Sequence, residues 1–495
     1  MTVHGLECLS RADVVIHDHG VPARLLKRAR PGAEIIEVGS AARQPMAQDA
    51  ITFLLAEKAR EGKLVARLKR GDPFVFDHGG EEALFLHEQG IRFEVVPGIP
   101  LGIGVPAYAG VPVTYPGGGD TITLVRGFED EGRTMPEVDW ASLAKLDGTV
   151  VCYAGVQQLP RILDALLANG WPTDERAVII YNGTLTSQET VSGTIGELRT
   201  GWREHHRRDP AMLVVGRVVG FRSHLRWFDA RPLFGKRVLV TRPRDQAGEM
   251  VDRLNALGAE AIEAPMIRIV PPEDLGPLRR AVDNVSAFDW IVFTSANAVD
   301  AFMSVLLHGD RDIRSLKGPR LCTVGSGTAE RLLRHGIKVD LVPDEFRAEA
   351  VVTALTARGP VEHLKVLAPR ADIGRDVIAE GLRSAGAVVT DVVAYRTVLE
   401  EPQQDERPDV YRMLLDDAID VVTFTSPSAV RNFAAIYGAE QTVDLLANTA
   451  VASIGRVTSD AATHLGLTVS IQPATSTIAA LVDAIAAHVA RVQEA

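Results

Sequence analysis

Cysteine is almost missing from this chain. Only Cys8, Cys152 and Cys322 occur in 495 residues, widely scattered and without metal-ligand spacing among themselves. That excludes a disulfide framework and a cysteine-knuckle metal fold, and fits a reduced, cytoplasmic chain. Aromatic residues make up 5% of the sequence, while Gly and Ala are plentiful and β-branched runs alternate with helical stretches. This balance favours α/β domains over all-β or coiled-coil ones. No basic segment followed by an apolar core opens the chain, and no apolar run approaches about 18 residues, so neither a signal peptide nor a membrane span is expected. Positive charge is also short. The formal net charge of −11 argues against a nucleic-acid or anionic-membrane surface, although local Arg clusters leave room for an acidic small substrate.

What is present is length enough for about three domains. The first block, to about residue 220, carries strand-like runs such as KLVARL (63–68), TITLVRG (121–127), TVVCYAG (149–155), AVIIY (177–181) and AMLVVGRVV (211–219). RSHLRWFDARPLFGKR (222–237) loses that periodicity, and its Pro and mixed charges fit a linker over 222–235. From 236 a second block repeats itself at an offset of about 130 residues. KRVLVTRPRDQAGEMVDRLNALGAE resembles LKVLAPRADIGRDVIAEGLRSAGAV, FTSANAVDAF resembles FTSPSAVRNF, and TVGSGTAERLLRHGIKVDLVP resembles SIGRVTSDAATHLGLTVSIQP. The period is too long for a solenoid and implies two similar units, each a small parallel sheet flanked by helices.

In both units a Thr-Ser pair follows an apolar strand and precedes a helix: Thr294 and Ser295, Thr425 and Ser426. Ser and Thr are ordinary helix caps. The same places also present unpaired N–H groups and a positive helix end, which suit carboxylate or phosphate groups. GSGT (325–328) and GRVT (455–458) stand at equivalent strand ends. Ligands of parallel sheets bind outside the carboxyl ends of the strands, so two such halves suggest a cleft. GSGTAE lacks the full dinucleotide-loop spacing.

The motifs GKRVLVTRP, FTSANAV, VGSGTA, VLAPRAD, VVAYRT, FTSPSAV, IGRVTSDAA and PATSTIAALVDAI, in this order and spacing, resemble uroporphyrinogen-III synthase over residues 235 to 490. The resemblance implies two flavodoxin-like parallel-sheet domains joined by two connecting strands, one lobe from about 236–268 plus 399–495 and the other from about 269–396. It implies cofactor-free dehydration and closure of hydroxymethylbilane, with ring D inverted through a spiro intermediate. Tyr395 in AYRT matches the tyrosine proposed in the family as proton donor, against the plainer reading of an aromatic packed at a strand end. Arg370 and Arg375 are candidates for substrate carboxylates, or else solvated charges at a helix start. Thr294, Ser295, Thr425, Ser426, Gly455 and Thr458 are candidates for cradles built largely from backbone amides.

The first block contains RLKRGDPFVFDHGGEE (67–82), a strand ending in a glycine-rich loop. Gly71 lets a ligand approach the backbone, Asp72 offers acceptors, and Glu81 and Glu82 suit a helix start. An ordinary turn has the same composition. With GLECLSRADVVIHD, FEVVPGI, PAYAGVPVT, NGTLTSQETVSGTIGEL and AMLVVGRVV, the loop resembles the tetrapyrrole methylases, specifically uroporphyrinogen-III C-methyltransferase, over residues 1 to about 228. This implies a two-subdomain α/β fold binding S-adenosylmethionine, uroporphyrinogen III as methyl acceptor, and a homodimer. Carried over, Gly71, Asp72, Gly102, Ala154, Gly183 and Ala211 fall on the cofactor side, and Asp18, His78 and Glu81 on the substrate side.

Departures accompany that match. Arg70 stands where the family has glycine, His78 where it has arginine, and Ala154 where it has methionine. Pro100-Leu101-Gly102 replaces Thr-Ser-Ala, and VGSAARQ (38–44) replaces a glycine-lysine stretch. The family's opening strand and Gly-Pro-Gly-Asp-Pro loop have no counterpart before MTVHGLEC, so either the start lies upstream or the domain is shortened. A lacking strand predicts an unpaired sheet edge with apolar surface uncovered, hence a less stable block or one repaired by dimerisation. Three readings follow: a synthase fused to a weakened methylase, a synthase on a catalytically dead methylase scaffold, or a non-catalytic two-lobed sensor of small anions.

Overall fold

A computed structural model describes residues 1–39, 46–127, 138–201, 211–308, 310–343, 348–372, 377–399 and 409–494. Arg375 and most of the 38–44 stretch lie outside the described residues. The chain divides into two compact units, Met1–Gly235 and Lys236–Ala495.

The first unit opens with the helix Val3–Arg11, capped by Thr2, whose hydroxyl accepts from the Gly5 N–H at 3.1 Å. It feeds β1 (Val14–Asp18), whose Val14, Val15 and Ile16 are buried on both faces, as a strand inside a parallel sheet must be. β1 lies between β2 (Glu34–Val38) and β3 (Val65–Leu68), both parallel to it. The outer side of β3 has no strand partner among the described residues. Residues 91–100 form neither helix nor strand, and Leu64, Phe93 and Val95 stand exposed. Among the described residues β2 and β3 are thus the two edges of this sheet.

A second, mixed sheet follows: β4 (Thr121–Gly127), β5 (Gly148–Ala154), β6 (Arg176–Tyr181), β7 (Glu189–Thr194) and β8 (Ala211–Val215), in the order β4-β5-β8-β6-β7. One face is covered by the helix Leu159–Ala168. Its Leu159, Ile162, Leu163 and Leu166, at i, i+3, i+4 and i+7, are all fully buried.

Residues 222–235, expected as a linker, instead pack onto this unit. Arg222 and Arg226 both bind the Asp229 carboxylate, at 2.6 and 2.9 Å. The Trp227 indole N–H donates to the Ala107 carbonyl at 2.9 Å, and Phe228 meets Tyr108 edge-on at 4.7 Å. The mixed charges that read as linker are an internal ion cluster, and the aromatics are its packing.

The second unit holds β9 (Arg237–Val240), β10 (Glu260–Glu263), β11 (Ile267–Val270), β12 (Trp290–Phe293), β13 (Arg320–Thr323), β14 (Lys365–Ala371), β15 (Val388–Leu399), β16 (Val421–Phe424), β17 (Ala450–Ser453) and β18 (Val469–Ile471). One sheet is wholly parallel in the order β10-β9-β16-β17-β18. The other runs β11-β15-β14-β12-β13, parallel except where β11 lies antiparallel to the end of β15. The chain therefore begins in the first sheet, builds the second, and returns to the first. The internal repeat gives the same packing twice. Phe293 meets Phe302 at 5.3 Å and 80°, and Phe424 meets Phe433 at 5.5 Å and 87°. All four rings are fully buried, and truncating one costs about 3–5 kcal/mol. Among the described residues no helix is long and apolar enough to cross a membrane.

Candidate functional site

In the second unit the chemistry gathers where strands end and helices begin. Ser295 and Ser426 adopt the same extended cap conformation, with φ −158° in both. Each hydroxyl accepts an N–H from the first helical turn, that of Ala298 or Ala429, at 3.1 Å. The helices they open, Ala296–Leu306 and Pro427–Tyr437, have counterparts after β13 and β17 in Ser326–Arg334 and Arg456–His464. Four positive helix ends thus stand at the carboxyl ends of parallel strands.

Tyr395, on β15, comes to Ser295 from a hundred residues away. The two hydroxyl oxygens are 3.1 Å apart, and Tyr395 is 8% exposed. The Ser295 oxygen already accepts from the helix, so its own proton is free to be donated to the phenol. Either hydroxyl can be the donor in this pair; with Ser295 as donor, the phenolic proton is available to another acceptor.

The remaining candidates divide. The Thr294 hydroxyl reaches the Pro369 carbonyl at 3.5 Å. Thr425 is half-buried beside Ser426. Gly455 leaves no room for a side chain, since a Cβ would lie 2.3 Å from the Ser476 hydroxyl. Thr458 is 3% exposed, in the first turn of the helix Arg456–His464. Arg370 binds Asp391 through its Nε, at 2.8 and 2.9 Å to the two carboxylate oxygens, across the β14–β15 pair. Its guanidinium therefore serves the sheet.

Arg242 was missed from the sequence. It follows β9 at a strand end, half-buried, and among the described residues its Nε and Nη2 reach the Gln246 amide oxygen, at 3.4 and 3.3 Å. Among the described residues no carboxylate lies within ion-pair distance of it. Burial pulls its guanidinium below the ordinary value, with Glu249 opposing this only in part. A half-buried cation with no counter-ion among the described residues is costly, and an arriving carboxylate relieves that cost. The Gln246 side chain in turn donates to Asn297, in the first turn of the helix that Ser295 caps. The signal was the TRP of VLVTRP, a strand-end position equivalent to the two Thr-Ser pairs.

In the first unit the candidates on the cofactor side are brought together, but by packing. Gly71 adopts φ +77°. Asp72 accepts the N–H groups of Phe74 and Gly98, both at 2.9 Å. The Gly102 N–H donates to the Tyr153 hydroxyl at 2.6 Å. Ala154 and Ala211 face each other in register and are buried. A Cβ on Gly102 would fall 2.8 Å from that hydroxyl, and one on Gly183 would fall 2.4 Å from the Val105 side chain. Tyr153 and Leu124 thus pack closely against Gly102, and Val105 against Gly183.

On the substrate side, Asp18 is paired with Arg67. Arg67 and the nearly inaccessible Lys69 converge on Glu82, at 3.1 and 3.2 Å. Glu81 is exposed and binds His78 at 2.9 Å. Sequence singled out Glu81; the structure buries its neighbour.

Fold and site define a pair of α/β enzyme units, the second built of two sheets with matched helix N-termini at their strand ends. Residues 1–199 match the family described as tetrapyrrole (corrin/porphyrin) methylases, and residues 248–483 match uroporphyrinogen-III synthase HemD. The chain is 35% identical over 468 residues to the porphyrin biosynthesis protein HemD of Ruminiclostridium josui, covering 94% of this chain and 91% of that one. It is 34% identical over 353 residues to uroporphyrinogen-III C-methyltransferase of Bacillus subtilis, covering 71% and 72%. The first unit is also similar to the crystal structure of uroporphyrin-III C-methyl transferase from Thermus thermophilus complexed with S-adenyl homocysteine, at 32% identity over 44% of this chain and 92% of that one, with a TM-score of 0.38. The chain belongs to the porphyrin-biosynthesis family that fuses a C-methyltransferase-like domain to uroporphyrinogen-III synthase.

Proposed function

We propose that the second unit dehydrates and closes hydroxymethylbilane to uroporphyrinogen III, and that the first unit is a methylase fold serving mainly as scaffold. The single observation carrying the first reading is the 3.1 Å contact between Tyr395 and the helix-capping Ser295. The bilane is a flexible polyanion, and its two ends must be brought together, which is catalysis by proximity. Helix N-termini after β12, β13, β16 and β17 hold its carboxylates, and Arg242 supplies a guanidinium to one more. Tyr395 gives its proton to the departing hydroxyl, water leaves, and an azafulvene cation remains to close through the spiro intermediate. The oxygen left charged faces Ser295 and the positive end of the helix Ala296–Leu306.

Purified protein supplied with hydroxymethylbilane is expected to give the type III isomer. Type I product alone, formed by spontaneous closure, overturns the reading in favour of an anion sensor. The scaffold reading of the first unit is supported by the departures at Arg70, His78 and Ala154 and by the side chains packed against Gly102 and Gly183. Calorimetry with S-adenosylmethionine is expected to show no saturable heat. Stoichiometric binding together with methylation of uroporphyrinogen III defeats it.

A further inference from the structure

The first unit holds a side-chain cluster that neither reaction uses. His4 and Cys8 stand one turn apart on the helix Val3–Arg11, and so share a face. Glu94, from the 91–100 segment without strand partners, reaches both. The Cys8 sulfur is 3.2 Å from Glu94 Oε1 and 3.9 Å from His4 Nε2, and that nitrogen is 3.5 Å from the same carboxylate oxygen. A tetrahedral zinc ion with ordinary Zn–S, Zn–N and Zn–O bonds separates its ligand atoms by about 3.6 Å for S–O and S–N, and about 3.4 Å for N–O. All three observed separations lie within about 0.4 Å of those edges. The other imidazole nitrogen, Nδ1, faces Glu7 at 3.5 Å. A carboxylate on the far nitrogen is the usual device that turns a histidine's free lone pair towards a metal.

We propose that His4, Cys8 and Glu94 form a binding site for a divalent ion of the Zn²⁺ type. Nitrogen and sulfur donors select such an ion over Mg²⁺ or Ca²⁺. Binding releases the Cys8 proton to solvent; thiolate and carboxylate then balance the ion's two charges. His4 and Glu94 are 57% and 65% exposed, so the ion enters directly and keeps a water in the fourth position. The site ties the first helix to a segment 86 residues away in sequence. It is independent of the reading of either unit as an enzyme.

The test uses the full chain without a histidine tag and Co²⁺ as the probe. One equivalent is expected to give a thiolate-to-cobalt charge-transfer band, which Zn²⁺ abolishes by displacement. Cys152 and Cys322 are buried, with thiols pushed up to about 12, so the band reports Cys8. Cys8→Ser removes it, Glu7→Gln weakens binding about tenfold, and His4→Asn or Glu94→Gln weakens it further. Alkylation of Cys8, read by mass spectrometry, slows at least tenfold when Zn²⁺ is added. No band at one equivalent, a band that survives Cys8→Ser in protein of unchanged circular dichroism, or alkylation indifferent to Zn²⁺ overturns the site.

Discussion

Two side chains in the second unit, Tyr395 and Arg242, bear on turnover in different ways, and substitution separates them. Tyr395→Phe removes a proton donor while keeping the ring packed against the β12 core. It is expected to lower kcat about a hundredfold and stability by only about 1 kcal/mol, measured by isomer assay and thermal melting. An unchanged rate removes the phenol from the chemistry. Arg242 acts on binding. A charge-assisted bond to one carboxylate is worth about 1.5–3 kcal/mol, so Arg242→Gln is expected to raise KM about ten- to a hundredfold at constant kcat. Because Arg242 makes no ion pair with a described residue, its loss leaves the melting temperature unchanged or higher. A falling KM, or a large loss of stability, contradicts its assignment to substrate. Neither role was equally legible in sequence. Tyr395 sits in a recognisable motif, whereas the burial of Arg242 without an ion-pair partner among the described residues is a fact of three dimensions.

Elements explain which sequence signals transferred and which did not. The two Phe-Thr-Ser repeats predicted strand, cap and helix, and the structure gives each twice, with matching serine caps and edge-on phenylalanine pairs. Periodicity and capping are local, so a repeated segment repeats its fold. Long-range pairing is not local. The Arg370–Asp391 pair, the burial of Glu82 rather than Glu81, and the filling of Gly183 by Val105 depend on what other elements bring.

The 222–235 arm is the plainest case. Its mixed charges fit a linker in sequence, yet Asp229 is held between two arginines. Burial alone pushes its carboxyl up, but the bonds from Arg222 and Arg226 outweigh that and hold it below the usual range. A carboxyl depressed in the folded state contributes stability above its unfolded value, about 3.9, and loses it as pH falls through the folded value. Hydrogen exchange over 222–234 is therefore expected to stay slow from neutral pH to about 4 and to quicken below it. In Asp229→Asn the arm is looser at neutral pH and the acid step is gone. An acid step that persists in that variant rules out Asp229 as its source.

The two units of the whole molecule differ in completeness. The first has a sheet edge on β3 and exposed apolar residues along 91–100, the region the proposed ion would brace. The second encloses its own cores. The clusters around Leu239 and Phe433, around Phe293 and Phe302, and around Trp290 and Leu382 draw every member from beyond residue 236. Its first strand, β9, is internal to its sheet, between β10 and β16. The cut between the units must therefore fall before Lys236, whose ammonium binds Asp420 at 2.8 Å while the Arg237 N–H binds the other oxygen of that carboxylate, also at 2.8 Å. A fragment beginning at Lys236 keeps every strand pairing of both sheets. It is expected to fold and to convert hydroxymethylbilane to the type III isomer at the rate of the full chain, whereas one beginning at Leu239 loses the Asp420 anchor and melts at lower temperature. If the Lys236 fragment folds but yields only type I product, the first unit supplies something to ring closure, and its role as scaffold alone must be abandoned.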